Sequence, residues 1–103
     1  MKQQMCPIVW LQDWYYGQCD GNWEHDRNIT ITTIDNPGWS ITIKLEGTTL
    51  ENHKFVEINT EINELDWFYC RIKDSIFKGA GGPNNLLNII EVFRQWVEEE
   101  VCN

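Results

Sequence analysis

Apolar and polar residues alternate most regularly between positions 29 and 46. Residues 29–34 alternate isoleucine with threonine, and such a run of β-branched residues is typical of a strand. From position 39 to position 46 every second residue is apolar, which predicts a second strand. Between them lies a turn sequence in which Pro37 suits the first central position of a type II turn and Gly38 suits the positive φ of the second. Pro37 and Gly38 are therefore predicted to be the structural turn of a hairpin.

A helix is predicted at each end of the chain. After Pro7, apolar residues recur at helical spacing as far as Tyr15, and Gly17 or Gly21 would end this first helix. The segment 79–83 is rich in glycine, and we interpret it as a flexible hinge that leads into the last helix. The apolar stripe of that last helix comprises Leu86, Ile89, Ile90, Phe93, Trp96, Val97 and Val101.

Two further strands complete the predicted fold. One is weak, from Phe55 to Ile58, and one is clear, from Trp67 to Lys73, with an acidic loop over 61–66 between them. In the clear strand the residues expected to face inward are Phe68, Cys70 and Ile72. The prediction is an α+β fold with an N-terminal helix, a four-stranded, mainly antiparallel meander sheet and a C-terminal helix, with both helices packed on one sheet face. The other face would be polar and open, and would carry Thr30, Thr32, Ser40, Thr42 and Lys44.

Length and charge limit the classes of partner. The 103 residues are expected to form a single domain over residues 1–103. There are 16 acidic and 8 basic residues, so the net charge is −8, which disfavours nucleic-acid and membrane partners and favours a basic protein. The same charge also suits a cytosolic protein that only needs to stay soluble. The sequence contains no apolar stretch of signal-peptide or membrane-spanning length, so the expectation is a cytoplasmic protein, assumed monomeric.

Candidate catalytic and metal chemistry is sparse. The two histidines, His25 and His53, do not lie at ligand spacing from a cysteine pair, so no metal and no cofactor are predicted. The four cysteines form no C-x-x-C pair and are interpreted as reduced thiols. Two alternatives to a binding protein remain open. One is a small hydrolase that uses Glu24, His25 and Asp35, and the other is a module that holds a small ligand in an aromatic pocket between the sheet and the first helix.

Three consecutive features give the chain a recognisable pattern. Trp23-Glu24-His25, the isoleucine-threonine strand and Asp35-Asn36-Pro37-Gly38-Trp39 together resemble the immunity protein 53 family of bacterial polymorphic toxin systems. The likeness extends through Asp66-Trp67 to the last helix, and so covers nearly the whole chain; a departure lies at Asp26-Arg27-Asn28, where a glycine-containing turn is expected. The positions that match the family's pattern are Trp14, Trp23, Glu24, His25, Asp35, Asn36, Pro37, Gly38 and Trp39.

The resemblance implies a small cytoplasmic protein, encoded beside a toxin, that binds and silences the toxin and catalyses no reaction. We therefore expect an acidic, tryptophan-bearing surface that occludes the active site of a basic, nuclease-type toxin. Trp23, in a polar loop, is the expected exposed anchor, whereas the strand periodicity favours core burial of Trp39. The candidate partner-binding residues are Trp14, Trp23, Glu24, His25, Asp35, Asn36 and Trp39.

Overall fold

The computed structural model of the chain describes residues 6–101, and it has the α+β class that the sequence predicts. The elements are α1 (Pro7–Gln18), α2 (Trp23–Asp26), β1 (Ile29–Ile34), β2 (Gly38–Lys44), β3 (Ile58–Asn63), β4 (Asp66–Lys73), β5 (Ile76–Gly81) and α3 (Leu86–Val101). The first helix, the hairpin of β1 and β2, the clear strand β4 and the last helix are confirmed. The interpretations of residues 1–5, of Cys102 and of the Val101 side chain lie outside the described part of the chain.

The sheet has five strands in the order β1-β2-β5-β4-β3, and every neighbouring pair is antiparallel. The predicted four-stranded meander is therefore wrong, because β5 returns along the sheet and inserts between β2 and β4. Helix α3 packs on β2, β4 and β5, and α1 packs on α3. Both helices thus lie on one face of the sheet, as predicted, and no helix within residues 6–101 covers the other, open face.

Residues 79–81 of the segment predicted to be a hinge form the second half of the central strand, β5. Gly79 and Gly81 lie in β5, where both are buried. A Cβ atom at Gly79 would overlap Ile89 Cγ2 of α3, and one at Gly81 would lie 3.2 Å from Ile89 Cδ1. These glycines are needed because α3 lies directly against the backbone of β5, which is one of the uses of glycine inside a strand.

Gly38 also differs from its predicted role. Among the described glycines, positive φ occurs at Gly21 and Gly47, whereas Gly38 is the buried first residue of β2. A Cβ atom there would overlap the carbonyl oxygen of Gly81. The type II turn is therefore wrong: the Asn36–Pro37 peptide bond is cis, and Gly38 permits the close approach of two strands.

Three other segments differ from the prediction. The weak strand begins at Ile58 rather than at Phe55, because Phe55 packs into the core from a loop. The ring centroid of Phe55 lies 5.7 Å from that of Phe77 and 5.5 Å from that of Trp96. The predicted acidic loop over 61–66 supplies the end of β3 and the start of β4. The region predicted to be a polar loop before β1 contains the short helix α2.

The core is centred on Phe93 of α3, which is completely buried. Its ring centroid lies 5.0 Å from those of Trp14 and Phe77, 6.0 Å from that of Trp10 and 6.1 Å from that of Trp96. Each such aromatic pair contributes about 0.5–1.5 kcal/mol beyond its buried area. Because Trp10 and Trp14 belong to α1, these contacts fix the first helix on the last one.

The close packing of α3 on β5 predicts that Gly79→Ala destabilises the fold by about 1–3 kcal/mol, the usual cost of overpacking a core. Gly17→Ala is the matched control, because no atom lies within 4 Å of its Cβ position on α1. That control should leave stability unchanged or raise it by about 0.5–1 kcal/mol. The free energies of unfolding come from urea titration, and equal values for the two variants would contradict this account of β5.

Candidate partner-binding site

The two halves of the family pattern lie at opposite ends of β1. The first half, Trp23–His25, lies in α2 just before the strand, and the second half begins at Asp35, just after it. The six residues of β1 span roughly 20 Å at about 3.3 Å per residue. The hydrolase alternative requires Glu24 and His25 to lie beside Asp35. The structure instead separates them by the length of β1.

The expected exposure of Trp23 is wrong, because this side chain is only 4% exposed. Its indole Nε1 donates a hydrogen bond to the carbonyl oxygen of Glu46 at 2.8 Å, and its ring centroid lies 6.4 Å from that of Trp14. Gly47, with φ +82°, leaves room for it, since a Cβ there would lie 3.1 Å from Trp23 Cδ1. Trp23 therefore joins α1 to the loop that follows β2, while its polar neighbours in sequence face the solvent.

Glu24 and Asp20 hold the connection between α1 and α2. The Asp20 carboxylate accepts hydrogen bonds from the N–H groups of Asn22 and Trp23, both at 2.9 Å. The Glu24 carboxylate accepts from the N–H groups of Asp20 and Gly21, at 3.1 Å and 2.9 Å. The pKa of Asp20 is lowered by the hydrogen bonds from the N–H groups of Trp23 and, second, Asn22. The pKa of Glu24 is lowered by hydrogen bonds from the N–H of Glu24 itself and then from those of Asp20 and Gly21.

The other pattern residues divide into buried and exposed sets. Trp14 is half-buried between Trp23 and Phe93, in edge contact with both rings. Trp39 is also half-buried, and its Nε1 donates a hydrogen bond to the carbonyl oxygen of Pro83 at 3.0 Å, close to the start of α3. The exposed pattern residues are His25, Asp35, Asn36 and Pro37. The tryptophans of the pattern thus hold elements together, whereas His25, Asp35 and Asn36 face the solvent.

A tyrosine of α1 is strongly exposed, in contrast to Trp23. Tyr16, near the end of α1, is 79% exposed. We define the acidic corner as Tyr16, Asp13, Asp20, His25 and Asp26, all of them exposed residues of α1, α2 and their connection. The sequence carried a signal for this tyrosine: adjacent residues of a helix point about 100° apart, so Tyr15 and Tyr16 cannot both face the core.

An apolar groove lies between α1 and β1. Helix α1 packs on α3 rather than closely on β1, and the gap encloses about 360 Å³. Buried Leu11 lies at this groove, and exposed Ile8 and Ile31 line it from the two sides. The groove lies where the ligand-module alternative places its pocket, but among the described residues that line it Tyr15 alone is aromatic.

The open face of the sheet is more basic than the sequence suggested. Lys78 of β5 lies directly opposite Arg71 of β4, and Lys44 and Lys73 both lie opposite Ile76. Strand alternation places these four cations on the side away from the helices, and none of them forms a salt bridge within residues 6–101. Half of the chain's eight basic residues thus occupy one face of the sheet.

The structure offers neither a metal site nor a membrane span within its described part. No group of three or more His, Cys, Asp or Glu side chains among residues 6–101 could hold a metal ion. No helix within the same range has the length and apolar character that crossing a bilayer requires.

The burial of Trp23 predicts that Trp23→Ala lowers the free energy of unfolding by about 3–5 kcal/mol, as large-to-small core substitutions do. Tyr16→Ala, which removes an exposed aromatic ring from the same region, should change it by less than about 0.5 kcal/mol. Chemical denaturation of both variants measures these values. A Trp23→Ala variant as stable as the wild type would show that the indole does not join α1 to the loop after β2.

The lowered pKa values of Asp20 and Glu24 predict a pH dependence of stability. Because each pKa is lower in the folded state, the two carboxylates stabilise the fold above their unfolded-state pKa values, and this contribution is lost as the pH falls through the folded-state values. An Asp20→Asn, Glu24→Gln double variant should be less stable than the wild type at pH 7, and the difference should shrink below about pH 4. Thermal unfolding across this range measures it, and a constant difference would contradict the assignment.

Comparison with known proteins assigns the chain to a family. The family model for immunity protein 53 matches residues 8–98, which include both halves of the pattern, all five strands and most of the first and last helices. No curated protein and no solved structure matches the chain. Because the match covers most of the sequence, the chain belongs to the immunity protein 53 family.

Proposed function

We propose that this protein binds the toxin encoded beside its own gene and neutralises it by covering the toxin's active site. Membership of the immunity protein 53 family is the observation that carries the proposal. The geometry is consistent with an inhibitor that acts by binding, because the residues of the hydrolase alternative lie at opposite ends of β1.

The acidic corner is the surface that we propose for contact with the toxin. Tyr16 supplies a large exposed ring, and tyrosine is one of the residue types that dominate binding energy at protein interfaces. Exposed Asp13, Asp20 and Asp26 add negative charge to α1, α2 and their connection, and this charge would attract the basic cleft of a nuclease-type toxin and speed its association. Among the candidate partner-binding residues that the sequence predicts, exposed His25 belongs to the acidic corner.

The distribution of charge would also orient the partners. A basic toxin approaching the chain is attracted by the acidic corner and repelled by Lys78, Arg71 and their neighbours on the open face. The partner would therefore meet the helical side of the molecule first. Association should slow as salt is added, because ions screen charges that are exposed to solvent.

The ligand-module alternative has one observation in its favour, the apolar groove between α1 and β1. The groove is open to solvent along its length, whereas specific small-molecule sites enclose most of the ligand's surface. A protein partner therefore suits this surface better than a small ligand does.

Co-expression with the protein encoded by the neighbouring gene tests the proposed function. The wild type should restore growth and bind the purified neighbour, and Tyr16→Ala should raise the dissociation constant about tenfold or more. Val56→Ala is the matched control, because Val56 is 85% exposed and lies outside the acidic corner; its dissociation constant should stay within about twofold. If the wild type neither binds nor protects, the function is wrong. If Tyr16→Ala binds like the wild type, the choice of surface is wrong.

A further inference from the structure

The two edges of the sheet are protected very differently. β3 carries the charged residue Glu61 and has an irregular register between Glu61 and Asn63. A charge and an irregularity are two of the devices that prevent another strand from pairing with a sheet edge. β1, at the opposite edge, contains only isoleucine and threonine, and its register with β2 is regular over all six residues. The β1 edge therefore has no such protection.

The hydrogen-bonding pattern identifies the free backbone groups of β1. The N–H of Lys44 donates to the carbonyl oxygen of Asn28 at 3.2 Å, so these two residues form a hydrogen-bonded pair. Such pairs alternate along an antiparallel ladder, so the even-numbered residues of β1 bond to β2. The N–H and C=O groups of Ile29, Ile31 and Thr33 therefore point away from the sheet.

The apolar groove lies beside this free edge. Ile29 and Ile31 line the groove with their side chains, and the same residues carry outward-pointing backbone groups. A strand added to β1 would direct every second side chain toward α1, where Ile8 and Tyr15 form the other wall. One extended segment of a partner would thus form hydrogen bonds with the backbone of β1 and apolar contacts with the groove.

The charges around β1 favour a basic partner over a second copy of the chain. The strand itself is uncharged, and exposed Asp26 and Asp35 flank its two ends. Neither of these carboxylates forms a salt bridge with another described residue. Antiparallel pairing of two β1 strands would bring Asp35 of one copy close to Asp26 of the other, and each chain carries a net charge of −8.

We propose that the free edge of β1 binds an extended strand of the toxin, with apolar side chains of that strand in the groove and basic residues beside Asp26 and Asp35. This inference rests on the proposed function and names the surface that recognises the partner's main chain. Tyr15 of the groove and Tyr16 of the acidic corner both belong to α1, so both surfaces lie on the same half of the molecule as that helix.

Thr33→Pro tests the strand pairing. Proline removes the outward-pointing N–H, and it is tolerated on an edge strand because no bond to β2 is lost. The dissociation constant of the complex with the neighbouring gene's purified product should rise about tenfold or more. Thr33→Ala, which keeps the N–H, should stay within about twofold of the wild type. Thermal unfolding of the free variants verifies that the hairpin remains folded.

A second pair of variants tests the groove without altering β1. Ile8 and Val9 are neighbours on α1 with similar exposure, 48% and 44%, but Ile8 alone of the two lines the groove. Ile8→Gln should weaken the complex about tenfold, and Val9→Gln should leave it within about twofold. Both substitutions lie on the surface of a helix, so both variants should fold.

The outcomes separate this inference from the proposed function. If the wild type binds the neighbour but Thr33→Pro binds equally well, strand pairing is overturned while the inhibitor function stands. If Ile8→Gln weakens binding and Thr33→Pro does not, the toxin places a side chain in the groove but adds no strand, and the inference is wrong.

If the wild type sediments as a dimer and Thr33→Pro dissociates that dimer, a second copy of the chain occupies the β1 edge, and the inference is wrong. If the wild type does not bind the neighbour, both proposals fail together.

Discussion

The direct contact between α3 and the backbone of β5 sets the arrangement of the whole molecule. Because Gly79 has no side chain, Ile89 lies against the strand and brings Phe93 next to Phe77. Phe93 then receives Trp10 and Trp14, so α1 is held mainly by α3. The space left between α1 and the edge strand is the apolar groove. The most distinctive surface of the protein is thus a consequence of glycine in its central strand.

The periodicity of apolar residues predicted the elements that depend only on the spacing of residues close together in the sequence. The hairpin of β1 and β2 and the stripe of α3 follow from side-chain alternation and helical spacing, and the structure confirms both. β5 was missed because glycine normally weakens a strand interior. The residue that requires glycine at position 79 is Ile89, which lies on another element, and only the folded arrangement shows that contact.

The candidate site was predictable in composition but not in geometry. Trp23 was expected to be exposed because its neighbours in sequence are polar, yet its hydrogen-bond acceptor, Glu46, lies 23 residues further along the chain. Similarly, the acidic character follows from the sequence, but the collection of Lys78 and Arg71 on the open face depends on β5 pairing with β4. A family pattern read from the sequence therefore mixes residues that hold the fold together with residues that face a partner.

Backbone amide exchange in the complex shows whether the toxin adds a strand to β1. In the free protein the amides of Ile29, Ile31 and Thr33 have no partner in β2 and should exchange quickly. Binding of the toxin should slow these three amides and leave the amides of the β3 edge, around Glu61, unchanged. A stable complex in which the β1 amides still exchange as fast as in the free protein would contradict the account.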